Sequence, residues 1–268
     1  MGLFQRLSSI FSHLTATAYP WPAVDIRLPG QQYLHLVGSI HMGTQDMAPL
    51  PARLLKKLQQ ADALIVEADI SVSGSPFTEI TPEAPLETRL TAEHYQQVMD
   101  LCSEFSIAPA IIDTVPMWQV ALILQAHQAQ KLGLRANYGI DYQLLEAARQ
   151  NDIAIQELEG TQNQVELLTT LPNGGMTLLN DTLRHWHTNA RMLQIMISWW
   201  LSTSTPKDDT SLPDTFSEEL HDILIAQRNQ QWCTFLQQLP PGHYVVAVGA
   251  LHLFGEGNVP SLLKAQKF

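Results

Sequence analysis

Two histidines far apart in the chain stand in the same local frame. His41 closes YLHLVGSIHM at 33–42, and His252 closes YVVAVGALHL at 244–253. Both read Tyr-x-x-x-Val-Gly-small-aliphatic-His-aliphatic. The copies align without a gap at a constant offset of 211, which also pairs Pro49 with Pro260, giving five identities over the seventeen positions from 33 to 49. Each copy reads as a strand that ends abruptly on glycine, then a His-bearing loop that leads into a helix; glycine allows the left-handed or close-packed backbone such an ending needs. Ligands of open parallel sheets collect at the carboxyl ends of strands, so both histidines are expected at one site. Neutral imidazole is a common ligand for first-row ions, and two ligands need a carboxylate to complete a metal site.

Glu67 is the first such carboxylate. It ends LIVE, where a strand leaves the core, and a glutamate there needs a partner. Glu159 ends IQELE in the same way, with Glu157 competing for the inward position. Asp141, in YGID, reads as charge at a helix start. Arg228, in IAQRNQQW, reads by itself as a surface arginine; beside a metal site it would hold a substrate carboxylate or stabilise an oxyanion. The HWH at 185–187 is a poor ligand pair, because residues two apart on a helix point away from each other.

Several elements must position these groups. YLHLV (33–37), ALIVEAD (63–69), IAIQELE (153–159) and HYVVAV (243–248) read as strands, and the four consecutive apolar residues of ALIV suit a strand covered on both faces. A helix from about Pro51 lies between the first two, which is the strand–helix–strand unit of a parallel sheet. Thr91 is a candidate N-cap, Pro116 and Gly133 bracket another helix, and GIDYQLLEAARQ is a third. Two long helices are expected over 175–201 and 214–239, and a short one near 260–265. Residues 70–88, rich in Ser, Thr and Pro, read as a loop or lid. The expected architecture is α/β, with two related strand–Gly-x-x-His–helix halves around a central sheet. It forms one domain over 20–268, with a large helical insertion at about 90–240 and an N-terminal extension at 1–19.

Composition narrows the function. The 268 residues are 45% hydrophobic and only 15% charged, with a net charge of −11. Such a chain can bury a large core, and it is a poor general partner for nucleic acid. Cys102 and Cys233 show no metal or redox spacing. The N-terminus lacks a continuous apolar stretch of signal-peptide type, and MLQIMISWWL at 192–201 is too short to span a bilayer; it reads as core or partner surface. The expected location is cytoplasmic. No Gly-x-Ser-x-Gly elbow, Walker loop, dinucleotide fingerprint or His-Glu-x-x-His helix occurs.

In order, HLVGSIHMGTQDMAPLP, ADALIVEAD, YGIDYQLLEAA, IQELEG, QRNQQW and VVAVGALHLFGEGNVPSLL resemble the TraB/GumN family over roughly 20–265. That family is similar to a wider group that includes the Tiki membrane proteases, erythromycin esterase and the haem-associated ChaN proteins. The resemblance implies two related halves around one cleft and, for some relatives, metal-dependent hydrolysis. On this chain it marks Gly38 and His41, Gly249 and His252, Glu67, Asp141, Glu159, and Arg228 with Asn229. Gln227 and Gly160 depart from the residues common at those places in the family. The expected activity is metal-dependent hydrolysis of a peptide or ester bond. His41, His252, Glu67 and Glu159 would hold zinc, manganese or cobalt and activate water, and Glu67 and Arg228 would be catalytic. Gly38, Ser39, Asp141, Arg228, Asn229 and Gly249 would line the substrate site. The alternative is a protein that binds a peptide, haem or metal in the same cleft without turnover.

Overall fold

The computed structural model describes residues 19–69, 81–202, 213, 215–255 and 257–265. The N-terminal extension up to residue 18, most of the expected lid (70–80) and the polar segment 203–212 lie outside the described residues.

A five-stranded sheet carries the site. Its strands are β1 (Ala23–Arg27), β2 (Gln32–Ser39), β3 (Ala63–Val66), β4 (Ala154–Glu157) and β5 (Gly242–Gly249), in the order β1-β2-β5-β3-β4. β1 runs antiparallel to β2, and every other pairing is parallel. The last strand in sequence therefore inserts between β2 and β3, and the two glycine-ended strands become neighbours. β3 shows why ALIV has no polar member: all four residues are buried, because helices cover both faces of the sheet. Leu64, Ile65 and Val66 each contribute about 1.5–3 kcal/mol when fully buried. β1 was not expected from sequence; AVDIR offers only Val24 and Ile26 as an apolar signal, as an edge strand often does.

Among the described residues the main helices are α1 (Ala52–Gln59), α2 (Ala92–Phe105), α3 (Met117–Lys131), α4 (Ile140–Gln150), α5 (Gly160–Thr169), α6 (Met176–Arg184), α7 (Trp186–Leu201), α8 (Gln227–Gln237) and α9 (Val259–Ala265). The local signals account for several boundaries. Thr91 Oγ1 caps α2 by accepting the His94 amide at 3.2 Å, Pro116 precedes α3, and Gly133 follows it with φ +87°. The helix expected over 175–201 is broken at His185 into α6 and α7, and Trp186, the first residue of α7, is buried. The helix expected over 214–239 is a short turn at Glu218–His221, a π-turn at Asp222–Ala226, and α8. Leu86, Val98, Ile112, Trp118, Leu124 and Leu179 build a separate core among the helices between β3 and β5. β4 lies within the same stretch of chain. Tyr19, placed with the N-terminal extension by sequence, is buried in the main core beside Trp21. No helix among the described residues is long and apolar enough to cross a membrane.

The sheet also shows how the repeat is used. Tyr33 lies opposite His243 and Leu34 opposite Tyr244, so the strands register at an offset of 210, one residue short of the sequence repeat. Equivalent residues therefore face opposite sides: Val37 belongs to the core on one face and Val248 to the core on the other. The helices that follow obey the same rule. Leu54 and Leu58 of α1 cover the first face, and Val259 and Leu263 of α9 cover the second. Because β2 and β5 run parallel side by side, both His-bearing loops that follow them lie at the same end of the sheet.

Candidate functional site

At that end, the strand termini open into a cleft of about 510 Å³. Ser39 and His41 follow β2, Glu67 follows β3, and Gly249 to His252 follow β5. The walls are apolar: Leu122 of α3, Leu168 of α5, Met192 and Met196 of α7, and Leu224 of the π-turn.

The first glycine–histidine loop is clamped. Trp200 Nε1 donates to the Gly38 carbonyl at 3.1 Å, tying α7 to the end of β2. Ile140 N–H donates to the Ile40 carbonyl at 2.9 Å, and Gly43 exchanges two backbone hydrogen bonds with Arg135. Gly139 is required by close approach, since a Cβ there would lie 2.2 Å from the His41 carbonyl oxygen. Gly38 and Gly249 serve packing too. Neither has positive φ, and an added Cβ would meet Pro22 Cβ and Glu67 Oε1, each at 3.3 Å. Of the two backbone reasons offered for these glycines, close packing is the one that applies.

His41 Nδ1 pairs with Asp141 Oδ2 at 3.0 Å. Asp141 is buried in the first turn of α4, where the helix dipole also favours its charge. The His41 ring lines the cleft, and 64% of its side chain is exposed. The Asp141 charge and hydrogen bond raise its pKa to about 9, with a smaller push from Glu67. His41 is therefore mostly protonated at neutral pH.

The second histidine is in the opposite state. His252 is buried, and burial pushes its pKa down to about 4. Its Nδ1 lies 2.7 Å from Asn229 Oδ1, which assigns the ring proton to Nδ1, and Nε2 then accepts from Arg228 Nη1 at 3.3 Å. Asn229 is fully buried and is fixed through Nδ2 to the Gly257 carbonyl at 3.0 Å. Trp232 packs against the His252 ring at 4.4 Å, and the Arg228 guanidinium lies over the Trp232 ring at 4.6 Å.

Arg228 is the hub. Its Nη2 donates to Glu67 Oε2 at 2.6 Å and to Glu159 Oε1 at 2.5 Å. Its Nε donates to Glu159 Oε2 at 3.1 Å, and Nη1 donates to the Leu224 carbonyl at 3.1 Å as well as to His252. A guanidinium has five N–H donors, and these five contacts use them all. The other Glu67 oxygen, Oε1, accepts the Gly249 amide at 2.6 Å. Gln164 Nε2 adds a hydrogen bond to Glu159 at 3.0 Å. Burial pushes the Glu67 carboxyl up, but Arg228, His252, His41 and the Gly249 amide together hold it below its ordinary value. Arg228 is raised in turn, its desolvation outweighed by Glu67 and Glu159.

The placement of each expected residue follows from these contacts. Ser39, His41, Glu67, Arg228, Gly249 and His252 line the cleft, whereas Gly38, Asp141 and Asn229 do not and instead hold residues that do. Glu159 rather than Glu157 joins the cluster; Glu157 is exposed and accepts the Asp69 amide. The Ser39 hydroxyl is buried without a hydrogen-bond partner. As arranged, the donors expected to hold zinc, manganese or cobalt do not fit such an ion. Every carboxylate oxygen of Glu67 and Glu159, and Nε2 of His252, already has a donor. Among the described residues no three His, Cys, Asp or Glu side chains are grouped to hold a metal.

Two contributors gave no sequence signal. Gln164 lies on a polar stretch of α5. The π-turn places the Leu224 carbonyl under Arg228, with the Gln227 amide reaching back five residues to Asp222; such turns recur at functional sites. The departures from the family pattern lie outside the cluster. Gln227 is exposed and donates to Asp222, and Gly160, with φ +78°, donates its amide to the Glu67 carbonyl.

The chain is similar to "Uncharacterized protein YbaP" of Escherichia coli (strain K12), with 54% identity over 264 residues, which is 98% of this chain and 100% of the relative. The Shigella flexneri protein of the same description matches at the same identity and coverage. No solved structure matches. The model of the TraB/PrgY/gumN family matches residues 24–268, a span that contains both Gly-x-x-His loops and the whole Arg228 cluster, and the chain belongs to that family.

Proposed function

We propose that this protein hydrolyses a peptide or ester bond flanked by an apolar group, with His41 as the residue that moves the proton. The observation that carries this reading is the His41–Asp141 pair: Nδ1 is held at 3.0 Å by a buried carboxylate, and the ring opens into an apolar cleft. A base oriented by a carboxylate is the recurring arrangement for acyl transfer. Protonated His41 donates to the leaving group or polarises the carbonyl; deprotonated His41 takes a proton from water, and that share grows as pH approaches 9. Arg228 has no donor left for substrate, so its part is to hold Glu67, Glu159 and His252 in place.

The test is turnover of a panel of chromogenic esters and short peptides by the parent and His41→Ala. Activity lost in a variant with an unchanged circular dichroism spectrum supports the reading, and equal activity in both refutes it. A second reading, binding without turnover, draws on the apolar walls and the self-satisfied polar cluster. Tight binding of an apolar peptide, or a haem absorbance band, with no hydrolysis across the panel would select it.

A further inference from the structure

Two apolar cores wall the cleft. Met192 and Met196 belong to the core on one face of the sheet; Leu178 belongs to the core among the helices, against which Leu122, Leu168 and Leu224 pack. Methionine side chains are flexible and adapt to what they cover. The polar lining, by contrast, is already engaged. Arg228 uses its five donors, both Glu67 oxygens accept, and both His252 nitrogens have partners. Gln125, Gln128 and Gln164 direct their amide nitrogens to Thr182, the Trp186 carbonyl and Glu159. The strands that end at the cleft, β2, β5 and β3, are each paired on both sides, so among the described residues no strand edge lines it. A bound peptide would bring an N–H and a C=O from nearly every residue, and burying them unpaired is costly; it would also have no edge to join. A hydrocarbon chain asks for no such partners. The cleft's 510 Å³ lies within the roughly 300–1,000 Å³ usual for small-molecule sites. His41, held at Nδ1 by Asp141, stays exposed at the cleft to meet one polar group.

We infer that the cleft is a pocket for a straight hydrocarbon chain, and that the substrate is an ester of a medium- or long-chain fatty acid with its carbonyl beside His41. The ester rests on the hydrolase reading; the chain pocket does not. In that hydrolysis the water oxygen bonds to the acyl carbon as the bond from that carbon to the alcohol oxygen breaks. His41 gives its proton to the departing alcohol and regains one from the attacking water, and the acid product releases the other.

The test titrates the full-length protein, by calorimetry, with straight-chain methyl ketones of seven, nine and eleven carbons, which carry the ester's carbonyl but cannot be hydrolysed. Affinity is expected to rise about fourfold for each added methylene. Acetylated tri-leucine amide is expected to bind more weakly than the eleven-carbon ketone. Leu122→Trp, at a half-buried wall position, and Met196→Trp should fill the cleft and weaken the eleven-carbon ketone by about tenfold or more. Affinity that does not change with chain length overturns the inference. So does a tri-leucine amide that binds more tightly than the eleven-carbon ketone, or a folded Leu122→Trp that binds that ketone as wild type does. Nitrophenyl esters of the same chain lengths, offered to the wild-type protein, separate the two readings. A chain-length gradient in ketone binding without ester turnover keeps the pocket and overturns the ester, and with it the ester-hydrolase reading. Ester turnover with ketone affinity independent of chain length does the reverse. If neither tryptophan variant folds, the wild-type ketone series and the tri-leucine amide decide.

Discussion

Replacing Asp141 with asparagine should bring His41 back toward an ordinary histidine. The carboxylate hydrogen-bonded to Nδ1 at 3.0 Å is the main reason the ring titrates near 9 rather than 6.5. Two unit charges about 4 Å apart interact by about 1 kcal/mol in water and about 4 kcal/mol at an effective dielectric of 20. At about 1.36 kcal/mol per pH unit, the expected fall in the His41 midpoint is about 0.7–3 pH units. The linkage has a definite sign. His41 is raised in the folded state, so the pair stabilises the fold fully below pH 6.5 and stops doing so as pH rises through about 9. With the ring 64% open to cleft water, screening limits the contribution to about 1 kcal/mol. Imidazole proton shifts followed from pH 5 to 10, with His41 assigned by its absence in His41→Ala, read the midpoint directly. Urea unfolding at pH 6 and pH 9.5 reads the stability. The Asp141→Asn deficit should be present at the lower pH and largely gone at the higher. A His41 midpoint near 6.5 in both proteins would refute the electrostatic account of this site.

Three further perturbations test how the site is positioned. Gly139→Ala should push the His41 loop out of place, because its Cβ would sit 2.2 Å from the His41 carbonyl; the expected cost is about 1–3 kcal/mol, read by thermal unfolding, and an unchanged Tm counts against the clamp. Trp200→Phe removes the donor to the Gly38 carbonyl while keeping an apolar ring. It should cost about 1 kcal/mol and speed amide exchange at the end of β2, and unaltered exchange there would show that the bond does not hold the strand. Asn229→Ala takes away the acceptor for His252 Nδ1 and the donor to Gly257 in a fully buried position. Leaving buried polar groups unpaired should cost about 1–3 kcal/mol each, and denaturant unfolding with no loss would contradict the hydrogen-bond assignment.

The readable part of this structure was local. Apolar runs located β2, β3, β4 and β5, and Pro, Thr and Gly marked several helix ends, because period and capping are properties of adjacent residues. The edge strand β1, the break at His185 and the π-turn carry no such mark. Arg228 shows why a site is harder to read than an element. Within IAQRNQQW, a polar stretch, it looks solvated, and three of the partners that bury it lie at positions 67, 159 and 252. Only the insertion of β5 between β2 and β3 brings those positions together, and no local pattern encodes that insertion. The repeat did point to the right place: both histidines reach the same end of the sheet, as equal strand endings should.

The two copies of the repeat nonetheless do different work, and the difference arises where their symmetry ends. The copies match in their strands and glycines, but not in the groups the histidines meet. His41 meets a carboxylate and stays open to the cleft, so its charged form is favoured and its pKa rises to about 9. His252 meets an amide oxygen and a guanidinium in a buried setting, so its neutral form is favoured and its pKa falls to about 4. At pH 7 one ring carries a charge and the other does not, from nearly the same ten-residue sentence. Both His252 ring nitrogens are engaged, Nδ1 by Asn229 and Nε2 by Arg228, whereas His41 has a carboxylate at Nδ1. The asymmetry suits a site in which one histidine moves a proton and the other belongs to a fixed scaffold. Exchanging the partners tests that division: Asp141→Asn should abolish the contrast from the His41 side, while Asn229→Asp, by giving His252 a carboxylate, should raise its midpoint toward that of His41. If the His252 midpoint fails to rise in Asn229→Asp, then burial alone governs that ring, and the partner-based explanation of the two states is wrong.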